Sequence, residues 1–286
     1  MAVVNTNIGA SVAQAALMRN ERALNTAMEQ LSTGKKINSA GDNASGLAIS
    51  TRLTSQIRGL DTAIRNANDA MSMVNTAEGA LDEITAMMQR MRELAVQSGT
   101  GTTAAADRTY LNSEFVALRN EIDRIADNTQ WNGRNILDGS AGASVGKSTV
   151  AFQVGVNEKQ TISTSFGNVN NTDGHMSALA STRLSAATIA SAVIVASNAI
   201  TRLDNTIADV SAQRATFGAV SNRLTHAIDN LTNVKTNSEA ARSRVLDTDY
   251  SAATSELART QIIQQAGTAM LAQANVLPQT VLALLR

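Results

Sequence analysis

Residues 57–95 read IRGLDTAIRNANDAMSMVNTAEGALDEITAMMQRMRELA. Apolar residues return at Ile57, Leu60, Ile64, Ala67, Met71, Val74, Ala77, Leu81, Ile84, Met88, Met91 and Ala95, stepping by three and four. That period lays one apolar stripe along a helix, as in the seam of a coiled coil. Between Met71, Val74 and Ala77 two steps of three follow each other, which predicts a local change of supercoil. The helix is expected from about Leu47 to Gln97. At 1.5 Å per residue such an element spans roughly 75 Å.

Toward the C-terminus, Ser98-Gly99-Thr100-Gly101-Thr102-Thr103 breaks the pattern. A second helix is expected from about Ala104 to Asn128, with Leu111, Phe115, Leu118, Ile122 and Ile125 on one face. Asn132-Gly133 is a turn signal. Val150, Phe152, Val154 and Val156 then alternate with smaller or polar residues. Ile162, Thr164 and Phe166 do the same beyond Asn157-Glu158-Lys159-Gln160, which predicts a β-hairpin. The flanking stretches Ser140 to Thr149 and Gly167 to Gly174 read as loop. Helical stepping resumes near Ser177. It runs through Ile200, Leu203, Ile207, Val210, Phe217, Val220, Leu224, Ile228, Leu231 and Val234, with Arg214 interrupting and a second seam break expected at Phe217–Val220. Pro278, the only proline, is expected to kink or restart the last helix. Toward the N-terminus, Asn38 to Gly46 forms a turn-rich loop. Before it, Val4, Ile8, Val12, Ala15, Leu17, Leu24, Met28 and Leu31 mark an amphipathic helix.

Both ends are uncharged: the first charged side chain is Arg19, and none lies between Arg259 and Arg286. An isolated helix of this kind has no charged face to keep it in water, so each end needs a partner. The hairpin in the middle turns the chain back, which sets the two ends side by side. A two-helix pair still exposes an outer face, and further subunits would cover it.

Composition supports a rod-like subunit over an enzyme. Hydrophobic residues make up 43% but aromatics only 2%, a poor supply of the large rings on which a globular core of this size relies. Small apolar residues suit closely packed helices. Net charge is zero, which argues against nucleic acid as a partner. The absence of cysteine removes thiolate metal sites and disulfides. His175 and His226 have no clustered carboxylates in sequence, so neither a metal site nor a catalytic residue is expected, and no cofactor. No secretory signal peptide is read at the N-terminus, and no run is apolar enough for membrane insertion.

The fold expected is therefore mainly α: a long antiparallel helical bundle or coiled coil with one small β-hairpin region, its N- and C-terminal helices paired. Residues 1–40 with 246–286 are expected as a discontinuous terminal coiled-coil domain. Residues 41–135 with 175–245 are expected as a helical rod domain, and 136–174 as its hairpin and loops.

Several ordered motifs resemble those of bacterial flagellins across nearly the whole chain. They are Val4-Asn5-Thr6-Asn7, the run Leu31 to Ala40 (LSTGKKINSA), Ala44 to Ser50 (ASGLAIS), Gln89 to Gln97 (QRMRELAVQ), Asn120 to Ile125 (NEIDRI), Phe152-Gln153-Val154-Gly155 and Val276 to Arg286 (VLPQTVLALLR). The resemblance implies a structural subunit that polymerises into the flagellar filament for swimming. It implies paired termini forming an inner tube and the remaining helices a surrounding layer. Expected partners are other copies of the chain, the flagellar cap, the hook–filament junction proteins and an export chaperone. The expected location is the extracellular filament, reached by type III export without a cleaved signal. Asn135 and His175 lie about 40 residues apart, so the outer insert domains of larger flagellins look absent. A hook–filament junction protein and, as a different class, a coiled-coil binding module are the alternative readings.

The segment Gln89 to Gln97 is expected to make subunit contacts. The resemblance further implies recognition by a Toll-like innate immune receptor of a host, through Arg90, Leu94, Leu111 and Glu114, with Gln89 and Gln97 beside them. Leu118 stands where well-recognised flagellins tend to have arginine, and Arg119 is next to it. Ser and Thr residues between Ser140 and Ser165 are candidate glycosylation positions, with none singled out. Methionines along the long helix are read as core.

Overall fold

The computed structural model describes residues 7–139, 141, 149–169, 182–184 and 188–284, with side chains as far as Val276. Among these residues there are five α-helices: α1 (Ile8–Thr33), α2 (Ala44–Ser98), α3 (Ala105–Asn128), α4 (Ile189–Leu246) and α5 (Tyr250–Leu284). Four short strands form two antiparallel pairs: β1 (Gln130–Trp131) with β2 (Arg134–Asn135), and β3 (Thr149–Gln153) with β4 (Thr161–Ser165). The described residues fall into two compact units, one within Met1–Ile57 and Thr236–Arg286, the other within Arg58–Lys235.

In the first unit α1 and α5 form an antiparallel pair. Asn7 caps α1, its side-chain oxygen accepting from the Ala10 N–H at 3.0 Å, while its Nδ2 donates across to the Ala274 carbonyl at 2.8 Å. Gly34 ends the helix with φ 69°, a left-handed conformation that glycine adopts without a Cβ penalty. The chain then bridges to the start of α5. Lys36 N–H donates to the Leu246 carbonyl at 2.7 Å, and Thr248 N–H to that of Gly34 at 3.1 Å. The next turn is held by Asp42, which accepts from the N–H groups of Ser39 at 2.8 Å and Asn38 at 3.0 Å. Those two donors, Ser39 foremost, hold its carboxyl below the usual carboxylate range. A depressed folded-state pKa makes this cap present above the ordinary aspartate pKa and lost as pH falls through the folded value. The restart expected at Pro278 is absent, and α5 continues to Leu284. A proline this near a helix end forfeits one N–H and leaves only a short segment to hold in line. Val4 lies outside the described residues.

The second unit holds a continuous core drawn from α2, α3, α4 and the β3–β4 hairpin. Ion pairs show α2 and α4 to be antiparallel: Asp61 with Lys235 at 2.7 Å, Glu78 and Asp82 with Arg214 at 2.8 and 2.9 Å, and Arg92 with Asp204 at 2.6 Å. Arg214 thus sits at the seam edge, held from α2. The buried line along α2 is Ala67, Ala70, Val74, Ala77, Leu81, Ile84, Met88, Met91 and Ala95, an unbroken alternation of three and four. On α4 it is Ala192, Ala196, Ala199, Leu203, Thr206, Val210, half-buried Gln213, Phe217, Val220 and Leu224. The seam breaks expected at Val74 and at Phe217–Val220 therefore do not exist. They came from placing Met71 and Ile207 in the seam, where the structure places the smaller Ala70 and Thr206. Small side chains let the axes approach, and Ile64, Met71, Ile200 and Ile207 flank them half-buried.

The hairpin seals one side of this core. β3 and β4 pair Phe152 with Ile162 and Thr149 with Ser165. Asn66 Nδ2 donates to the Gln153 carbonyl at 3.1 Å, and a Cβ on Gly59 would come within 2.8 Å of Val156, so the glycine gives the loop its seat. Val154 and Val156 belong to that loop and not to the strand. The Asn132-Gly133 signal forms the two-residue turn joining β1 to β2, with φ 50° and 74°. Helix α4 begins at Ile189, later than the Ser177 expected. Thr182 to Leu184 are not helical: Leu184 is buried, its N–H donating to Asn112 Oδ1 at 2.8 Å, and Thr182 accepts from Arg202 at 3.0 Å. Most of the loops expected at 140–149 and 167–174, His175 and residues 177–181 lie outside the described residues.

One buried charge closes the end of α2. Arg108 on α3 is 1% exposed, donating from Nε to the Ser98 carbonyl at 3.2 Å and from Nη2 to the Thr100 carbonyl at 3.3 Å. It satisfies the Ser98 carbonyl at the helix end, adds a second donor to the Thr100 carbonyl, which also accepts from the Thr103 N–H at 3.4 Å, and places a cation at the negative end of the dipole. Arg108→Ala is expected to cost the central unit roughly 1–3 kcal/mol, the loss of charged hydrogen bonds to one buried and one part-buried carbonyl. Urea unfolding followed by circular dichroism measures it; a cost within error of zero would show the cap to be dispensable.

Candidate assembly surface

The α1–α5 pair is built on two heptad lines. On α1 the inward positions are Ala10, Ala13, Leu17, Asn20, Leu24, Ala27 and Leu31. On α5 they are Ala253, Leu257, Thr260, Gln264, Gly267, Leu271 and Ala274. This is an antiparallel coiled coil whose seam is largely small or polar. Asn20, buried, donates from Nδ2 to the Thr260 carbonyl at 2.8 Å, and a Cβ on Gly267 would meet Leu17 at 2.7 Å. The interior polar pair and the close approach at glycine fix the register.

Besides the five seam leucines, the large apolar side chains point the other way. Ile8 is 61% exposed, Val12 64%, Ile262 66% and Met270 66%, with Met18, Met28, Ile263 and Val276 also open. Ala13, Ala16, Leu17, Ile263, Gly267 and Met270 line a shallow apolar groove between the two helices. No charged side chain lies between Ile8 and Met18 or beyond Arg259 on α5. Sequence reading places Ile8 and Val12 on one apolar stripe with Leu17, Leu24 and Leu31, but the structure turns the leucines toward α5 and Ile8 and Val12 outward. It also leaves Ile262, Ile263 and Met270 unmarked. The signal for them is the seam phase: once Thr260, Gln264 and Gly267 are inside, their large neighbours are outside.

The segment 89–97 divides into surface and core. Gln89 and Gln97 are exposed and line a shallow depression with Arg92, Glu93 and Val96. Arg90 is half-exposed and bonds Glu93 and, on α3, Glu114, each at 2.9 Å. Such solvent-exposed pairs contribute at most about 1 kcal/mol. Leu111 is half-buried against the core. Leu94 is 1% exposed, which corrects its place among the contact candidates. Helix α2 has α3 on one side and α4 on the other, so its buried arc at this level takes both Leu94 and Ala95. Leu118 is likewise half-buried.

Among the described residues no three His, Cys, Asp or Glu side chains gather as metal ligands, and no helix is long and apolar enough to cross a membrane. His226 is exposed on α4.

Residues 4–142 match the family described as the bacterial flagellin N-terminal helical region, and residues 200–285 match the bacterial flagellin C-terminal helical region. The chain is 44% identical over 284 residues to a flagellin of Halalkalibacterium halodurans, covering 99% of this chain and 100% of that one. It is 41% identical over 302 residues to a flagellin of Bacillus subtilis, covering 99% of each. The solved structure of a putative flagellar hook-associated protein from Vibrio parahaemolyticus is similar in fold, with TM-score 0.59 at 15% identity, covering 72% of this chain and 100% of that one.

Proposed function

The chain belongs to the bacterial flagellin family and is a filament subunit serving motility, and from that premise we propose that the outer apolar face of the α1–α5 coiled coil is its polymerisation surface. One observation carries the reading: the pair turns only its leucines, alanines, glycine and a few polar residues on itself and leaves Ile8, Val12, Ile262 and Met270 in solvent. A lone subunit gains nothing from that arrangement. A helical polymer buries the same side chains on every copy, each for about 1.5–3 kcal/mol.

In this reading residues 1–40 with 246–286 form the inner layer of the filament. Residues 41–135 with 175–245, and the hairpin region 136–174, form the layer around it. Export through the flagellar type III apparatus, and encounters with a chaperone, the junction proteins and the cap, are part of the same proposal. Its basis is family membership. The test is seeded growth: purified monomer added to filament fragments should extend them into long tubes visible by electron microscopy. A fixed small oligomer would overturn it.

The exposed patch of Gln89, Arg90, Gln97 and Glu114, with Leu111 at its edge, is proposed as a second contact between copies and as the surface a Toll-like receptor reads. If both hold, the filament hides what the monomer shows. Receptor reporter cells should then respond to the monomer and much less to the intact filament. Absence of response to monomer at every dose would remove the receptor from the proposal.

A further inference from the structure

The chain holds ten methionines, and the structure sorts those it describes by unit. In the central unit Met73, Met88 and Met91 are 4%, 0% and 1% exposed, and Met71 and Met87 are half-buried. In the terminal unit Met18, Met28 and Met270 are 56%, 46% and 66% exposed. Every open methionine among the described residues thus lies on the coiled coil formed by α1 and α5. Met270 also lines its apolar groove, beside Leu17 and Gly267.

A thioether is apolar and adaptable, well suited to a face that must fit another copy, and it is also the side chain that a peroxide oxidises most readily where it is open. We propose that Met18, Met28 and Met270 are a reversible modification site whose oxidation blocks assembly of the free subunit. The inference rests on the polymerisation reading above. The sulfur lone pair attacks one oxygen of hydrogen peroxide, and the O–O bond breaks. The sulfur loses two electrons to become a sulfoxide, and the second oxygen leaves as water. The product carries a polar, strongly accepting oxygen. Brought into an apolar contact without a donor, that oxygen pays an unmet desolvation cost, which corresponds to a rise in critical concentration of roughly ten- to a hundredfold. Past Arg259 α5 offers no charged donor to a sulfoxide at Met270, so the largest effect is expected there, whereas Arg19 and Arg22 lie within one turn of Met18. The buried methionines of the central unit resist the same dose, so fold and assembly separate.

The experiment uses the full-length monomer and hydrogen peroxide. Peptide mass spectrometry sets a dose at which residues 18, 28 and 270 carry sulfoxide while 73, 88 and 91 do not. Critical concentration is then read by sedimentation after seeding, for untreated protein, oxidised protein, oxidised protein restored with methionine sulfoxide reductases, and an oxidised M18L/M28L/M270L variant. The expected result is a tenfold or greater rise on oxidation, reversed by the reductases and absent from the variant, with circular dichroism unchanged throughout. Normal elongation by the oxidised protein overturns the proposal, as does an equal loss in the variant, or a loss the reductases do not reverse. If the variant itself fails to elongate seeds, the reductase arm decides on the unaltered sequence. Failure of the untreated protein to elongate seeds overturns the polymerisation reading and this proposal with it, so the two failures are distinguishable.

Discussion

Deleting residues 260–286 is expected to abolish seeded elongation while leaving the central unit folded. The deletion removes Thr260, Gln264, Gly267, Leu271 and Ala274 from the coiled-coil seam, and Ile262, Ile263, Met270 and Val276 from the outer face. Helix α1 then keeps no partner for Asn20 or Leu17 over that length, and an isolated helix of its size is marginal in water. Loss of two or more outward apolar side chains per contact, at about 1.5–3 kcal/mol each, lowers elongation at least roughly a hundredfold. The core cluster of the central unit is made only of residues between Ala67 and Ile228, so none of it is deleted. Helical circular dichroism should fall by the share of α1 and α5 and no further, and the remaining cooperative unfolding should keep its midpoint. Tubes grown by the truncated chain would refute the assignment of the assembly surface. A collapse of the remaining helix signal would refute the independence of the central core.

The period of this fold was legible from sequence, but its phase was not. Three-four stepping identifies every long helix, and the Asn132-Gly133 pair marks a real turn. At three places where a small and a large residue are adjacent, though, hydrophobicity favours the larger for the seam and the structure buries the smaller: Ala70 beside Met71, Ala199 beside Ile200, Thr206 beside Ile207. The reason is distance between axes. In a chain with only seven aromatic residues, Phe, Tyr and Trp together, the helices approach closely enough that alanine and threonine fill the gap. The two supercoil breaks inferred from the larger residues disappear with that correction.

The same displacement hid the assembly surface. Ile8 and Val12 read as one stripe with Leu17, Leu24 and Leu31 because all are apolar at roughly helical spacing. The seam runs through Ala10, Ala13, Leu17, Asn20, Leu24, Ala27 and Leu31, and Ile8 and Val12 face outward. Uncharged ends signal a need for partners, but only the seam phase says which side chains meet them. Leu94 departs from expectation for a related reason: a single stripe describes α2 incompletely, because two flanking helices bury a wider arc. A lone arginine in a helix, such as Arg108, reads as surface. Its burial follows from the carbonyls at the end of α2, which sequence pattern does not locate.

Phe217→Ala is expected to cost the central unit about 3–5 kcal/mol, the range for emptying a buried aromatic site. Of the four phenylalanines, Phe115, Phe166 and Phe217 are at most 1% exposed. Two of them meet: the rings of Phe166 and Phe217 lie 5.1 Å apart at 50°. Phe166 directly follows β4, and Phe217 occupies the α4 seam, so this contact fastens the hairpin to the helix. The Gln213 side chain reinforces it one turn earlier, donating to the Ser165 carbonyl. Phe217→Leu keeps most of the volume and should cost less than about 1.5 kcal/mol. A double-mutant cycle with Phe166→Ala should recover about 0.5–1.5 kcal/mol for the ring pair itself. Urea unfolding supplies all four corners, and a Phe217→Ala cost below about 1 kcal/mol would show that the hairpin is anchored elsewhere. At a temperature where the variant is still folded, it should elongate seeds as the unaltered chain does, because no assembly residue has changed. The truncation and this substitution then act as opposites. One removes assembly from a subunit that stays folded, and the other weakens the fold of a subunit that can still assemble. That separation follows from a chain that leaves large apolar side chains outward at its ends and buries three of its four phenylalanines at its centre.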